Sequence, residues 1–414
     1  MPDAPRSERT IIFLVGAVQF INVLDFVMVL PLGPDFARAL NIAPSHLGII
    51  GGAYTAAAAL GGVLGSLFLD RFDRRKALAV AMTGLVIGTA GGAVALGLYT
   101  LVAARIVAGL FGGPAASLAL SIVADVVPVE RRGKAMGAVM SAFSIASVVG
   151  IPAGLKLSEV AGWHAPFLGT AALGAVVTVL AVAALPPLRG HLSATGAVRP
   201  SASYGALLGN PLVRQSYLMT WVGVMAAFIL IPNISAYVQT NLGYPRGDLD
   251  QLYFVGGIAS FITMRVVGRL VDRYGAARMG SMGAVLLAVV IVGGFGAVPP
   301  VLPVMAVFVL FMVANNVRNV SGQTLASRVP GPAERARFTS LGSTVQHLSS
   351  AVAAVLSSQL LSEDATGRLV GMERVVVASV VLGLLLPVIM VRLERALRRR
   401  DAANQLPGVG TATT

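Results

Sequence analysis

The chain has 414 residues, of which 56% are hydrophobic and only 12% charged, half the charge of an ordinary soluble domain, and its mean hydropathy of +0.81 excludes a water-soluble globule. A net charge of +13 would suit nucleic acid in a soluble protein, but here the basic residues lie in short loops between apolar stretches, so no nucleic-acid partner is implied. Cysteine is absent, which excludes disulfides, thiolate metal sites and cysteine nucleophiles.

Taken in order, twelve stretches are long and apolar enough to cross a hydrocarbon core of about 30 Å. They cover 10–32, 47–69, 77–97, 99–124, 133–155, 165–186, 212–238, 251–271, 278–297, 300–327, 338–361 and 371–391. The first is no cleavable signal, because it is too long and carries Asp25. The expected fold is an all-α integral membrane protein of twelve transmembrane helices in two six-helix halves, 1–186 and 212–392. Residues 187–211, with Pro187, Arg189, Gly190, Pro200 and Pro211, read as a cytoplasmic linker, and 393–414 as a disordered cytoplasmic tail.

The halves are pseudo-symmetric. Asp70-Arg71 in the loop after the second stretch returns 202 positions later as Asp272-Arg273, and the same offset sets Pro128 on Pro330 and Phe26 on Phe228. Positive charge fixes the expected orientation. With both termini cytoplasmic, only Arg38, Lys156, Arg246, Arg368 and Arg374 fall outside. Glycine pairs four apart, Gly48/Gly52, Gly61/Gly65 and Gly109/Gly113, predict close helix packing in lipid.

A charge inside a bilayer costs at least about 2.5–3.5 kcal/mol, and four such residues are present: Asp25, Arg105, Arg265 and Arg318. At about 1.5 Å per residue, Asp25 lies roughly 22 Å from the cytoplasmic start of its helix and Arg105 roughly 9 Å from the outer start of its own. Both then sit at one level, so an Asp25–Arg105 pair is feasible. Gln19 and Asn22 precede Asp25 on one helical face. Two readings stand: Asp25 takes up and releases a proton with Arg105 biasing it, or the pair is a static clamp between helices. Asn22, Asn233, Asn315, Asn316, Arg318, Gln346 and His347 are candidates to line a substrate cavity, each equally able to serve as an interhelical hydrogen bond. Gly150, Pro152 and Gly154 are candidate hinge residues, since proline removes a backbone bond; a tolerated kink is the alternative. His46, His164, His191 and His347 lie in separate regions without metal-ligand spacing. No phosphate-binding loop of the Gly-x-x-x-x-Gly-Lys-Ser/Thr type occurs. No cofactor is expected; the proton gradient is the expected energy source.

These residues resemble the major facilitator superfamily. Asp70, Arg71, Arg74 and Arg75 match its loop motif G-x-L-x-D-R-x-G-R-R, with Ser66 and Asp73 in place of the glycines; the second copy keeps Gly268, Asp272, Arg273 and Gly275 but has Ala276-Ala277 for the arginines. Arg105 and Gly109 resemble the helix 4 motif R-x-x-Q-G with Ala108 for Gln, and the Pro152 stretch is similar to the antiporter motif of helix 5, from which Ile151 departs. The run from Phe20 to Pro34 resembles helix 1 of bacterial twelve-helix drug/proton antiporters and arabinose-efflux-type permeases. The resemblance implies a cytoplasmic gate of Asp70, Arg71, Arg74 and Asp125, with Asp272 and Arg273 as its second copy. It also implies a monomeric, proton-coupled exporter of a small molecule (drug, metabolite or sugar) in a bacterial inner membrane. The alternatives are a proton symporter importing a sugar or metabolite and, outside transport, a membrane-embedded sensor. An enzyme is not expected.

Overall fold

The computed structural model describes residues 8–188, 204–296, 300–331 and 334–405. With no water to satisfy it, backbone in a bilayer must bond within its own segment, and the apolar stretches are accordingly helical. The N-terminal half holds α1 (Glu8–Val29), α2 (Leu47–Phe68), α3 (Arg74–Ala93), α4 (Leu98–Val126), α5 and α6 (His164–Ala184). The C-terminal half holds α7, α8 (Leu249–Tyr274), α9 (Ala276–Ile291), α10 (Val304–Ser327), α11 (Arg335–Leu360) and α12 (Met372–Gln405). Two helices are interrupted. In α5, the pieces Val129–Met140, Ala142–Ile145 and Ile151–Ala161 flank a π turn at Ala146–Gly150, which widens the helix just before Pro152, where an N–H is missing. In α7, Pro211–Phe228 leads through a 3-10 turn, Ile231–Asn233, into Ile234–Thr240. Starts and stops follow local chemistry. The Asp73 carboxylate accepts from the Arg75 N–H at the start of α3 (2.9 Å), and Gly275, at φ 90°, makes the turn between α8 and α9.

The twelve expected helices are present, and among the described residues eleven of them are by themselves long and apolar enough to span a membrane. The remaining one, α11, is a full 26-residue helix of the bundle whose Thr, Gln, His and Ser residues lower its hydropathy. Residues 393–405, expected as disordered tail, continue α12 as helix to Gln405. There the side chains of Leu393 and Leu397, four apart, are fully buried, so the packed stripe outlasts the apolar composition. The expected disorder of 406–414 and most of the 187–211 linker lie outside the described residues.

The duplicated plan is visible in detail. The 3-10 turns Pro44–His46 and Arg246–Asp248 stand at the 202-residue offset. So do Asn41 and Gly243, both left-handed at φ 51° and 66°; Asn and Gly are residues that tolerate this conformation. Phe26 and Phe228, matched by the same offset, stack on each other at 6.2 Å between centroids with planes 19° apart. A residue touching its own counterpart marks the pseudo-two-fold axis.

Glycine governs the packing. A Cβ on Gly61, Gly109 or Gly113 would collide with the carbonyl oxygens of Leu110, Tyr54 and Ala58, so α2 and α4 touch backbone to backbone. Gly48 and Gly52 serve the contact between halves, meeting Ala354 and Ala351 of α11. The second tight seam is α5 on α8, where Gly257 abuts Ser147 and the Ser144 hydroxyl reaches the Met264 sulfur at 3.7 Å. Both seams lie toward the end of the bundle bearing Asp35 and Arg246. At the opposite end, where both described termini lie, Thr339, Ser343 and Gln346 of α11 are exposed, whereas Ser350 and Ser357 further along that face are buried. The halves meet at the Asp35 face and part toward the terminal face.

Candidate transport site

The expected ion pair is present. Arg105 of α4 donates from Nη1 to Asp25 Oδ1 and from Nη2 to Asp25 Oδ2, both at 2.9 Å, and from Nη2 to the Asp25 carbonyl at 3.2 Å. The two side chains are 0% and 1% exposed. Two residues that sequence reasoning missed complete the site. Thr89 of α3 donates its hydroxyl to Asp25 Oδ1 at 2.7 Å, and the Tyr54 ring of α2 lies 4.6 Å from the Arg105 Cζ. Four helices thus converge on one carboxylate, which is satisfied by three donors and sealed from water. Asn22, one turn before Asp25, donates to the Gly112 carbonyl at 2.6 Å. The bidentate, charge-assisted bonding of Arg105 to Asp25 is strong and direction-specific.

The other predicted site residues are not gathered here. Asn233 is fully buried and donates to Ser357 Oγ at 2.7 Å, and Ser357 in turn donates to the Ile229 carbonyl at 2.6 Å, so this group fastens α11 to α7. Gln346 is exposed on the polar strip of α11, His347 half-buried, and Asn315 and Asn316 half-buried on α10. Arg318 is only 2% exposed. Its Nη2 donates to Asn315 Oδ1 at 2.8 Å, while Nε and Nη1 have no partner among the described residues. Arg265 is exposed, with its guanidinium 4.3 Å from the Phe261 ring. The hinge candidates sit at the π turn: Gly150 passes so close to Leu24 of α1 that a Cβ there would lie 2.5 Å from a leucine methyl.

At the terminal face, Arg74 donates from Nε to Asp125 Oδ2 at 3.2 Å, joining α3 to α4. Arg71 is exposed, and the Asp70 side chain lies outside the described residues. Asp272 and Arg273 are exposed. Among the described residues, the part of the expected network that is seen is this pair within the N-terminal half. The opposite face carries a clasp that the sequence analysis counted only as outside charge. Asp35, on the short helix Gly33–Ala39, accepts from Arg246 of the other half through Oδ1 at 2.8 Å and again through Oδ2. Ser158 of α5 donates to Asp35 Oδ2 at 2.8 Å, Arg38 donates to Oδ1 at 3.2 Å, and Arg246 also reaches the Leu155 carbonyl at 3.3 Å. No group of His, Asp or Glu able to hold a metal occurs among the described residues.

Comparison with known proteins agrees with this architecture. The family model of the Major Facilitator Superfamily matches residues 15–403. The chain is 29% identical over 245 residues to the inner membrane transport protein YdhP of Escherichia coli K12, covering 59% of this chain and 62% of that one. It is 28% identical over 274 residues to a chloramphenicol resistance protein of Streptomyces lividans, covering 66% and 69%. The chain thus matches less than two thirds of the length of YdhP. Among solved structures, a bacterial homologue of the human lysosomal transporter Spinster, inward-facing and unoccupied, superposes with a TM-score of 0.75 at 14% identity, covering 95% of this chain and 99% of that one. A D-xylose–proton symporter superposes at 0.72 and 15% identity, covering 93% and 96%. These last likenesses concern the fold alone. The family match over nearly the whole chain, the membrane-spanning helices and the two-half architecture lead to one conclusion: this protein belongs to the major facilitator superfamily, a family of membrane transporters of small molecules, not enzymes.

Proposed function

We propose that the protein is a proton-coupled exporter that works by alternating access, with its termini in the cytoplasm and Asp25 as the proton carrier. The observation that carries this reading is the sealed Asp25–Arg105 pair: a buried carboxylate whose charge is held by one arginine is a group whose protonation changes the balance between helices. Proton arrival from outside neutralises Asp25, releases Arg105 and favours the form open to the cytoplasm. Substrate binds there as the proton leaves. Each ligand shifts the equilibrium only through its different affinity for the two forms.

Orientation rests on the arginines and lysines around the terminal face, among them Arg75, Lys76, Arg131 and Arg392, in keeping with the excess of positive charge in cytoplasmic loops. Export is favoured by the likeness to the resistance protein. The substrate is neutral, zwitterionic or anionic, because the Asp25 carboxylate is already paired with Arg105 while Arg318 keeps donors without a partner among the described residues. The test is proton movement in reconstituted vesicles with an internal pH dye, using chloramphenicol and D-xylose as probes. Probe-driven proton counterflow that disappears in a folded Asp25→Asn variant supports the reading. Co-directional proton entry makes the protein a symporter, and coupled flux retained in Asp25→Asn removes Asp25 from the mechanism.

A further inference from the structure

The ion pair does not end at Arg105. The guanidinium lies over the Tyr54 ring at 4.6 Å, Tyr54 stacks on Phe26 at 5.3 Å with planes 23° apart, and Phe26 stacks on Phe228 at 6.2 Å. Phe228 belongs to the other half. An unbroken row of π faces therefore runs from a buried charge to the pseudo-two-fold axis, where the halves must separate for the opposite face to open. Tyr54 is the pivotal member. It is 2% exposed, its backbone carbonyl touches Gly109, and its hydroxyl lies against Gly112, beside the Asn22 amide. Glycine at both positions leaves the ring room to lie flat beneath the arginine. Arg105 has no hydrogen-bond partner at Nε among the described residues, where the Asp25 carboxylate and backbone carbonyl on one side and the Tyr54 face on the other fix its position.

We propose that Tyr54 is a positioning residue for proton coupling: its ring holds Arg105 in register with Asp25 and links that pair, through Phe26, to the seam at Phe228. This rests on the reading of Asp25 as proton carrier. Among the described residues, the charged and titratable groups facing Asp25 are Arg105 from α4 and Tyr54 from α2; α3 contributes the non-titrating Thr89. From α5 and α6 the close neighbours of α1 at this level are Gly150 and Gly174, which meet Leu24 and Ile21. When the ring face is lost, Arg105 is held less firmly against Asp25, and the halves change form at higher pH.

The chain has no cysteine, so spin labels can be placed on Lys76→Cys and Arg278→Cys, exposed positions one repeat apart at the terminal face. The distance between them is read against pH in lipid nanodiscs. The wild type should change its distance distribution with a defined midpoint. Tyr54→Leu should raise that midpoint by about 0.4–1.5 pH units, the range of a cation–π contact, and Tyr54→Phe, which keeps the face, should restore it. A series of increasingly fluorinated phenylalanines at position 54 drains the face at nearly constant shape and should raise the midpoint stepwise, even if Tyr54→Leu fails to fold. A midpoint unchanged across the fluorinated series, or lowered thermal stability in Tyr54→Leu with an unmoved midpoint, overturns the proposal. Asp25→Asn separates it from its foundation: a pH response surviving in that variant rejects the proton carrier itself, whereas a response lost there but indifferent to position 54 rejects only the role of Tyr54.

Discussion

The two halves share a plan but not a polar centre. At the 202-residue offset, Asp25, Thr89 and Arg105 of the first half correspond to Ala227, Ile291 and Val307 of the second, all buried. One scaffold thus folds around a hydrogen-bonded ion pair in one copy and around three apolar side chains in the other. The packing of the six-helix unit does not require the charges. A buried ion pair is weak evidence for stability, and apolar replacements of similar volume are often neutral or stabilising. What the first half has beyond its twin is the carboxylate proposed above as the proton carrier. The second half carries its own buried cation, Arg318, without a carboxylate partner among the described residues.

The comparison can be broken most directly at Arg105. Arg105→Val alone leaves Asp25 charged and unpaired, and should lower stability by about 3–5 kcal/mol, read as denaturant or thermal unfolding in detergent. Adding Asp25→Ala and Thr89→Ile copies the second half and should recover most of that loss while abolishing proton coupling. A triple variant as unstable as the single one would mean that the halves are not equivalent frames.

Arg318 sharpens the contrast with the opposite sign. Arg318→Met removes a buried cation with two nitrogens unpartnered among the described residues and should stabilise the empty protein by about 1–3 kcal/mol, while weakening the binding of any anionic substrate. Both arginines are buried, yet one substitution should destabilise and the other stabilise in the same unfolding assay.

A smaller effect is expected at the clasp between halves. Asp35→Asn leaves Arg246 without its carboxylate, and should shift the balance toward the form open at the Asp35 face by about 1.4 kcal/mol, a tenfold change. Spin labels at the exposed positions 39 and 247 report it as a longer distance. The smallest effect lies in the loop between α11 and α12. There the Asp364 carboxyl is held below the ordinary carboxylate value, chiefly by the Thr366 hydroxyl and then by the Arg368 N–H, with Thr366 N–H assisting. Its support for the turn is complete above the ordinary carboxylate range and is lost as pH falls through the lowered value. Protection of the amides of residues 364–368, taken relative to the exchange of an unstructured peptide at the same pH, should therefore fall in acid, and Asp364→Asn should remove that pH dependence.

Legibility in the sequence followed cost. Charges in lipid are expensive, so Asp25 and Arg105 stood out, and counting residues along each helix set them at one depth. Thr89 and Tyr54 cost little in an apolar helix, and nothing in their spacing marked them. Asp35 and Arg246 are far apart in the chain and ordinary in a loop; only the closing of two halves on one another brings them together. Hydropathy located the spans but not the helix ends. The apolar stretch stops near residue 391, yet Leu393 and Leu397 keep packing. Arg400 donates to the carbonyls of Val329 and Arg328 at 2.9 and 2.8 Å, tying the end of α12 to the end of α10. Asn233 looked like a cavity residue because it is polar, and its partner Ser357 is visible only in three dimensions.

The polarity of α11 has a consequence for how the protein is made. Its strip of Thr339, Ser343, Gln346 and Ser350, with His347 alongside, weakens the drive of an isolated segment to leave the translocation channel for lipid, where polar side chains are penalised. Two later events relieve this: Ala351 and Ala354 dock against Gly48 and Gly52 of α2, and the strongly apolar α12 follows after a short ladder of Ser362–Glu363 with Leu369–Val370. During synthesis α11 is then expected to enter the bilayer together with α12, as a hairpin packing against the first half.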